Sequence, residues 1–454
     1  MPAYSTSDTI TAPATVPGRS AIAMLRISGP EALAVLAAVL AQPRDDLQHA
    51  QARLLQLRLP DNAGSSLTEQ AMVCCYMAPQ SYTGDDLVEI AIHGNPLLLE
   101  LLLNAVQQAG ARLAEPGEFT YRAFANGKLD LMQAEAVHEL INAGSSSALR
   151  LAASSLGGMQ GRAVTEWQQR LLGWLAAIEL IHDYASDDLD ASIEPSQRIE
   201  AMDLLQELED FAAELTDSLE ASRRSAVIRS GLSLAIVGAP NVGKSTLFNA
   251  LLGYERALVH HAPGTTRDYL SESVEFGGIS FVLVDTAGQH ASPDAVESAG
   301  MERARDWQES ADLLIIANAA DNSTSGSNQQ DSDPRCIHVM TRCDLLAEWP
   351  DESGQLAVCA LDGRGIPALR QLIIERSGLA DDSSALSFNR RQAALVQHCL
   401  EHVNLAILAI KDGMPLDAAA QDLHLAREAL RGLNESGSRQ SVVDSIFSSF
   451  CVGK

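Results

Sequence analysis

The residue types best suited to chemistry gather in one stretch, Gly238-Ala-Pro-Asn241-Val242-Gly243-Lys244-Ser245, which carries the spacing Gly-x-x-x-x-Gly-Lys-Ser. Its glycines permit torsions that other residues resist, so consecutive backbone N–H groups can turn inward on a polyphosphate. Lys244 adds a point charge for the β- and γ-phosphates, Ser245 a hydroxyl for Mg²⁺, and the following helix a favourable N-terminal dipole. The flanks agree: the apolar run Leu232, Leu234, Ile236, Val237 predicts a buried strand, and Thr246–Leu252 a helix. A chance glycine-rich turn would lack both flanks, so the stretch reads as a nucleoside-triphosphate loop.

More signatures follow in order. Gly264-Thr265-Thr266-Arg267-Asp268 lies after the first helix, and Asp285-Thr286-Ala287-Gly288 ends a strand. Thr341-Arg342-Cys343-Asp344 and Val358-Cys359-Ala360 close the set. Asp285 is expected to reach Mg²⁺ through water, the Gly288 N–H to sense the γ-phosphate, and Thr266 to join Mg²⁺ only in the triphosphate state. The Asp344 carboxylate can accept from guanine N1 and N2, a donor pair that adenine lacks. Asp285-Thr-Ala-Gly alone would be weak; in this order and spacing the set points to a GTPase.

These residues need a frame, and strand patterns alternating with helical ones over 229–378 predict a doubly wound parallel sheet. Val358-Cys359-Ala360 closes its fifth parallel strand, and the polar run 319–334 reads as a mobile loop. Residues 1–122 read as an α+β domain, with Arg26 and Glu89 as charges inside apolar strands; alternation alone makes them outward-facing. Residues 123–228 are helical, with acids over Asp183–Glu194 read as a solvated loop and a helix over Pro195–Ser222. Residues 379–454 add two amphipathic helices, Arg390–Lys411 and Leu416–Leu433, then a Cys451-Val-Gly-Lys454 tail.

Composition bounds the function. A formal charge of −27 argues against tight autonomous binding to nucleic acid, which rests on Lys and Arg neutralising phosphates. The 7 scattered cysteines fit a reducing compartment better than a disulfide framework. The sequence shows neither a secretory signal pattern nor an uninterrupted apolar run of membrane length, so a cytoplasmic protein is expected.

Asp8-Thr-Ile, Pro17-Gly-Arg19, Leu25-Arg-Ile-Ser-Gly-Pro30, Ser81-Tyr-Thr-Gly-Asp-Asp86 and Gly117-Glu-Phe-Thr-x-Arg-Ala-Phe-x-Asn-Gly-Lys-Leu-Asp-Leu131, with the phosphate loop and the Phe-Cys-x-Gly-Lys end, resemble the MnmE (TrmE) family of tRNA-modification GTPases along the whole chain. The resemblance implies a multidomain protein: an α+β folate-binding-like domain (1–122), an α-helical bundle in two parts (123–228 and 379–454), and an inserted α/β P-loop GTPase domain (229–378). It implies GTP contacts at Asn241, Val242, Gly243, Lys244, Ser245, Thr246, His260, His261, Ala262, Pro263, Gly264, Thr265, Thr266, Asp285, Thr286, Ala287, Gly288 and Asp344. Mg²⁺ falls to Ser245 and Thr266. K⁺, in place of an arginine finger, falls to Asn241, His260, Ala262 and Thr265. Glu297, not Gln289, would orient water. Arg26, Glu89, Lys128 and Lys454 would hold a tetrahydrofolate derivative, 5,10-methylene or 5-formyl, as one-carbon donor.

The activity implied is GTP-dependent modification at C5 of the wobble uridine (position 34) of certain tRNAs, adding a carboxymethylaminomethyl or aminomethyl group. A homodimer is expected to work with the flavoprotein MnmG in a heterotetrameric or larger complex, with most tRNA contact on the partner and none with a membrane. One competitor is a ribosome-assembly GTPase, which would need a basic RNA-binding module that the flanking segments lack. The other is a folate-dependent aminomethyl-transfer protein with a weakened nucleotide site. It draws on the departure of Thr341-Arg342-Cys343-Asp344 from the family's usual Asn-Lys-x-Asp. Threonine is shorter than the asparagine that ties the motif to the phosphate loop, and Arg342 can lie over the base in place of lysine. Cys359-Ala360 stands for the usual Ser-Ala whose backbone N–H meets the base.

Overall fold

Apolar and polar positions alternate through the N-terminal strands, which suits a sheet with one covered face. The computed structural model describes residues 4–44, 46–60, 65–187, 195–253, 271–285, 311–320, 333–346, 348–350, 355–379, 386–434, 440–450 and 453. It divides into two compact units, Met1–His138 with Ser155–Ala191 and Asp412–Lys454, and Glu139–Ser154 with Ser192–Lys411.

In the first unit, β1 (Ile10–Pro13), β2 (Ile22–Ser28), β3 (Ala52–Pro60), β4 (Ser66–Tyr76), β5 (Leu87–His93) and β6 (Arg112–Leu113) form one sheet in the order β3-β4-β5-β2-β1-β6. Helices α1 (Ala32–Val39) and α2 (Pro96–Gln108) share a core with one face, where Leu25, Ile27, Val73 and Ile90 meet Val35, Leu36 and Leu102. The Asn95 side chain caps α2 by accepting from Leu97 N at 2.9 Å, and Pro96 needs no partner for a missing N–H. Arg26 and Glu89 face each other across β2 and β5, on the side opposite that core.

Helix α3 (Glu118–Ala125) carries charges into the interior, since the Glu118 and Arg122 side chains are both 0% exposed. Arg122 Nη2 donates to Glu118 Oε1 at 3.2 Å and to Asp8 Oδ1 at 2.7 Å, and its Nη1 donates to the Asp8 carbonyl at 2.7 Å. Arg112 bridges the same pair, donating to Glu118 Oε2 at 2.8 Å and Asp8 Oδ2 at 2.6 Å. Burial works against the Asp8 charge, but the Arg112 hydrogen bond and the two guanidinium charges outweigh it and lower its pKa. The Asp8 and Gly117–Arg122 motifs thus serve to pin the N-terminal strand to α3. Helices α4 (Leu131–Asn142) and α5 (Ser146–Leu156) each run across the division between units. In the first unit α6 (Met159–Asp187) packs with α11 (Leu416–Asn434), and α12 (Gln440–Ser448) buries Val443 and Phe447 against Leu131 and Ala134.

The second unit holds α7 (Pro195–Ser230), β7 (Leu232–Val237), α8 (Lys244–Leu252), β8 (Ser271–Phe276), β9 (Ile279–Asp285), β10 (Leu313–Ala319), β11 (Cys336–Thr341), β12 (Leu356–Ala357), α9 (Ile366–Ser377) and α10 (Arg390–Lys411). Its sheet runs β12-β11-β10-β7-β9-β8, parallel except where β8 meets β9. β7 lies inside this sheet at the point where the strand order reverses, which puts its C-terminal end in the crevice where such sheets bind ligands. The β8–β9 hairpin also supplies the first turn of α5. Glu275 Oε2 accepts from Ser146 N at 3.2 Å, and the Gly278 carbonyl accepts from Ser147 N at 3.1 Å. An anion at a helix N-terminus is favourable, and these bonds satisfy donors the helix cannot.

Some expectations move. The strand expected to close at Val358–Ala360 spans Leu356–Ala357 and ends at Ala357; Val358 N still donates to the Met340 carbonyl, and the chain then turns at Cys359. Helix α6 extends to Asp187, through the first acids expected in a loop, and α7 continues to Ser230, past the expected end near Ser222. Of the polar run 319–334, Ala319 closes β10, and 321–332 lie outside the described residues. Among the described residues α10 alone is long and apolar enough to cross a membrane. Its Val396, Cys399, Val403 and Ala406 are 0% exposed, and it packs along α7.

Because Arg122 is enclosed, Arg122→Met should cost about 3–5 kcal/mol, the usual result of removing one partner from a buried ion pair. Urea titration read by hydrogen exchange in α3 checks this; a wild-type midpoint would contradict it.

Candidate functional site

The loop after β7 depends on backbone shapes that few residues tolerate. Gly238 has φ +158°, and a Cβ there would stand 2.3 Å from the Ala317 carbonyl oxygen on β10. Asn241 has φ +63°, and Gly243, which precedes α8, has φ +93°. Turning of this kind points successive N–H groups into one concavity at a helix N-terminus, a fit for a polyphosphate. Lys244 Nζ donates to the Gly238 and Ala239 carbonyls, each at 2.9 Å, so its charge lies over the loop. Ser245 and Thr246 follow as exposed first-turn residues, and Val242 is buried beneath.

Two consecutive carbonyls of this loop are held by the last residue of β11 and the one after it. Thr341 is 3% exposed, and its Oγ1 lies 2.5 Å from the Val242 carbonyl and 3.1 Å from that of Asn318. With one proton to give, it favours Val242. Arg342, at φ +60°, donates from Nη1 to the Asn241 carbonyl at 3.3 Å. Thr341, though shorter than asparagine, keeps a tie to the phosphate loop, and Arg342 reaches the same loop. Asp344 is exposed in the 3-10 turn Cys343–Leu345. Burial raises the Cys343 thiol pKa, and its Sγ donates to Met340 O at 3.2 Å.

Of the remaining expected positions, Asp285 ends β9 and pairs with Ile236, one residue before the end of β7. His260, His261, Ala262, Pro263, Gly264, Thr265, Thr266, Thr286, Ala287, Gly288 and Glu297 lie outside the described residues.

A second charged site lies in the first unit. Arg26 Nε donates to Glu89 Oε1 at 2.8 Å, with both side chains about one-fifth exposed (22% and 18%). Cys74 stands across from Glu89 on β4, and the alternation of β4 puts Tyr76 on the same face. A hydrogen bond with Cys74, then burial, pushes the Tyr76 hydroxyl up to about 12. The two-residue spacing of Cys74 and Tyr76 puts them on one face, but their place beside Glu89 depends on strand register. Lys128 is exposed and donates from Nζ to the Pro79 carbonyl at 3.0 Å. The C-terminal end returns to this sheet: Gly453 is buried, and a Cβ there would lie 2.1 Å from the Pro13 carbonyl on β1. Cys451 and Lys454 lie outside the described residues. A carboxylate bonded to a guanidinium suits a ligand with amide-like edges, as a folate has.

Two family models match the chain, the MnmE helical domain over residues 131–451 and the GTP-binding protein TrmE N-terminus over 9–128. Curated relatives match it nearly end to end. The tRNA modification GTPase MnmE of Moorella thermoacetica is 37% identical, covering 98% of this chain and 99% of its own. The protein of that name from Akkermansia muciniphila is 39% identical over 98% and 99%, and that from Thermotoga maritima 35% over 98% and 100%.

Replacing Thr341 by valine keeps the shape and removes the donor to Val242. GTP affinity should fall roughly three- to tenfold, the effect of about 0.5–1.5 kcal/mol for one hydrogen bond. Titration with a fluorescent GTP analogue reads it, and equal affinities would show that the tie contributes nothing to binding.

Proposed function

Since this chain belongs to the MnmE (TrmE) family, we propose that it is a tRNA modification GTPase acting at C5 of the wobble uridine, position 34. The observation that carries the reading is the phosphate cradle at the end of β7, with the Thr341 hydroxyl bonded to it at 2.5 Å. GTP and Mg²⁺ belong to this family's chemistry; that Lys244 and Ser245 open α8 directly after the loop and Asp285 ends β9 supports giving these residues the phosphates and Mg²⁺. Hydrolysis needs a positioned water and charge neutralised at the β–γ bridge. Glu297 orients the water, and Thr266 joins Ser245 at Mg²⁺. Asn241, with His260, Ala262 and Thr265, holds K⁺, which when bound supplies the positive charge an arginine finger would provide.

Arg26, Glu89, Lys128 and Lys454 hold a tetrahydrofolate derivative, 5,10-methylene or 5-formyl, which when bound supplies the one-carbon unit. The charge of −27 suits a cytoplasmic homodimer that leaves most tRNA contact to the flavoprotein MnmG, in a heterotetrameric or larger complex. The chain is organised as 1–122, 123–228, 229–378 and 379–454, folate domain, helical part, GTPase domain and helical part. A folate-transfer protein with a weakened nucleotide site is the weaker reading, because the Thr341 tie preserves what the altered motif was expected to lose.

GTP hydrolysis should be faster in K⁺ than in Na⁺ and should fall about two orders of magnitude in Glu297→Ala with GTP binding retained. Equal rates in the two salts would remove Asn241 from a K⁺ site; loss of binding with hydrolysis would make Glu297 structural. Deleting Cys451–Lys454 should impair uridine modification, read by mass spectrometry, while hydrolysis stays close to wild type. Normal modified uridine in that variant would detach the tail from the folate site.

A further inference from the structure

The two segments expected to recognise the base meet through a pair that neither motif contains. The guanidinium carbon of Arg364 lies 4.5 Å from the centroid of the Trp349 ring. Trp349 follows the turn that holds Asp344, and Arg364 closes the loop that begins at Cys359-Ala360. At their inner ends these segments are joined through the sheet, where Val358 N donates to the Met340 carbonyl at 2.8 Å. That ladder is short. β12 spans Leu356–Ala357 and pairs with β11 only at Val339 and Met340.

Arg364 is itself tightly placed. Its Nε donates to Asp362 Oδ2 at 2.7 Å, its backbone N–H to Asp362 Oδ1 at 3.0 Å, and its carbonyl accepts from Cys359 N at 2.8 Å. The Arg364 N–H first, and then the Cys359 thiol, hold the Asp362 carboxyl down at about 2, so the bracing acceptor stays ionised at neutral pH. Elsewhere the loop has little apolar cover, with Leu361 77% exposed, while Trp349 is 38% exposed and presents a ring face to the guanidinium.

We propose that Arg364 and Trp349 form a clasp holding the two base-recognition segments at the separation guanine requires, making both positioning residues for nucleotide retention. The inference rests on the GTPase reading. The Asp344 carboxylate and the Ala360 N–H can act on one base only if their segments keep a fixed spacing, and two residue pairs of β-ladder fix only the inner end. The stacked pair fixes the outer end, and its partners are a cation and an aromatic face, a combination that survives partial exposure.

The test is release of a fluorescent GDP analogue from the full chain and from Trp349→Ala, Trp349→Phe, Arg364→Gln and the double variant Trp349→Ala/Arg364→Gln. Each of the two disruptive single changes should speed release about three- to fivefold, the scale of one cation–π contact. The double variant should release no faster than the faster single, and Trp349→Phe should restore most of the retention. In steady-state hydrolysis the effect should fall on KM rather than kcat. Unchanged release, multiplying effects in the double variant, or a phenylalanine as poor as alanine would each overturn the clasp. A wild-type chain that holds no guanine nucleotide overturns the GTPase reading and the clasp together, whereas binding with unaffected variants overturns the clasp alone.

Discussion

The second unit depends on one backbone constraint, the left-handed and extended turns of the loop after β7. Gly238 sits where any side chain would strike the Ala317 carbonyl, and Asn241 and Gly243 have positive φ. A non-glycine residue at φ +63° is uncommon and persists only when its surroundings hold it. Here the surroundings are specific. Thr341 holds the Val242 carbonyl and Arg342 that of Asn241, so the end of β11 and the residue after it brace the loop. A change in that segment is therefore felt at the loop.

The first unit handles charge in two ways. Arg122 and Glu118 are enclosed, and every bond they make goes to neighbouring structure, which is how a costly burial becomes a rigid joint. Arg26 and Glu89 are partly exposed on the face opposite the α1 and α2 core, where a polar ligand could exchange with their mutual bond. The contrast separates motif residues that shape the domain from those free to bind.

Much of this was legible from spacing. Strand β7, the loop and α8 follow from an apolar run, paired glycines and a helical pattern, each a local signal. Arg26 and Glu89 were visible as charges interrupting apolar strands, but strand register, which local pattern does not report, was needed to place them opposite each other. The Arg364–Trp349 stack and the reach of Arg342 to Asn241 join residues distant in sequence, so no window contains them. β12 was read two residues late because Val358 and Cys359 are as apolar as strand residues; the turn is set by Gly365, whose Cβ would meet the Ala357 carbonyl at 2.1 Å.

The central claim is that the phosphate loop drives modification of tRNA. The most direct measurement is mass spectrometry of wobble uridines in tRNA from a cell lacking this protein and supplied with either the wild-type chain or Gly238→Ala. The methyl group of alanine has no room beside Ala317, so the account predicts C5-modified uridine with the wild type and its loss with Gly238→Ala. Equal levels of modified uridine with the two chains would contradict it.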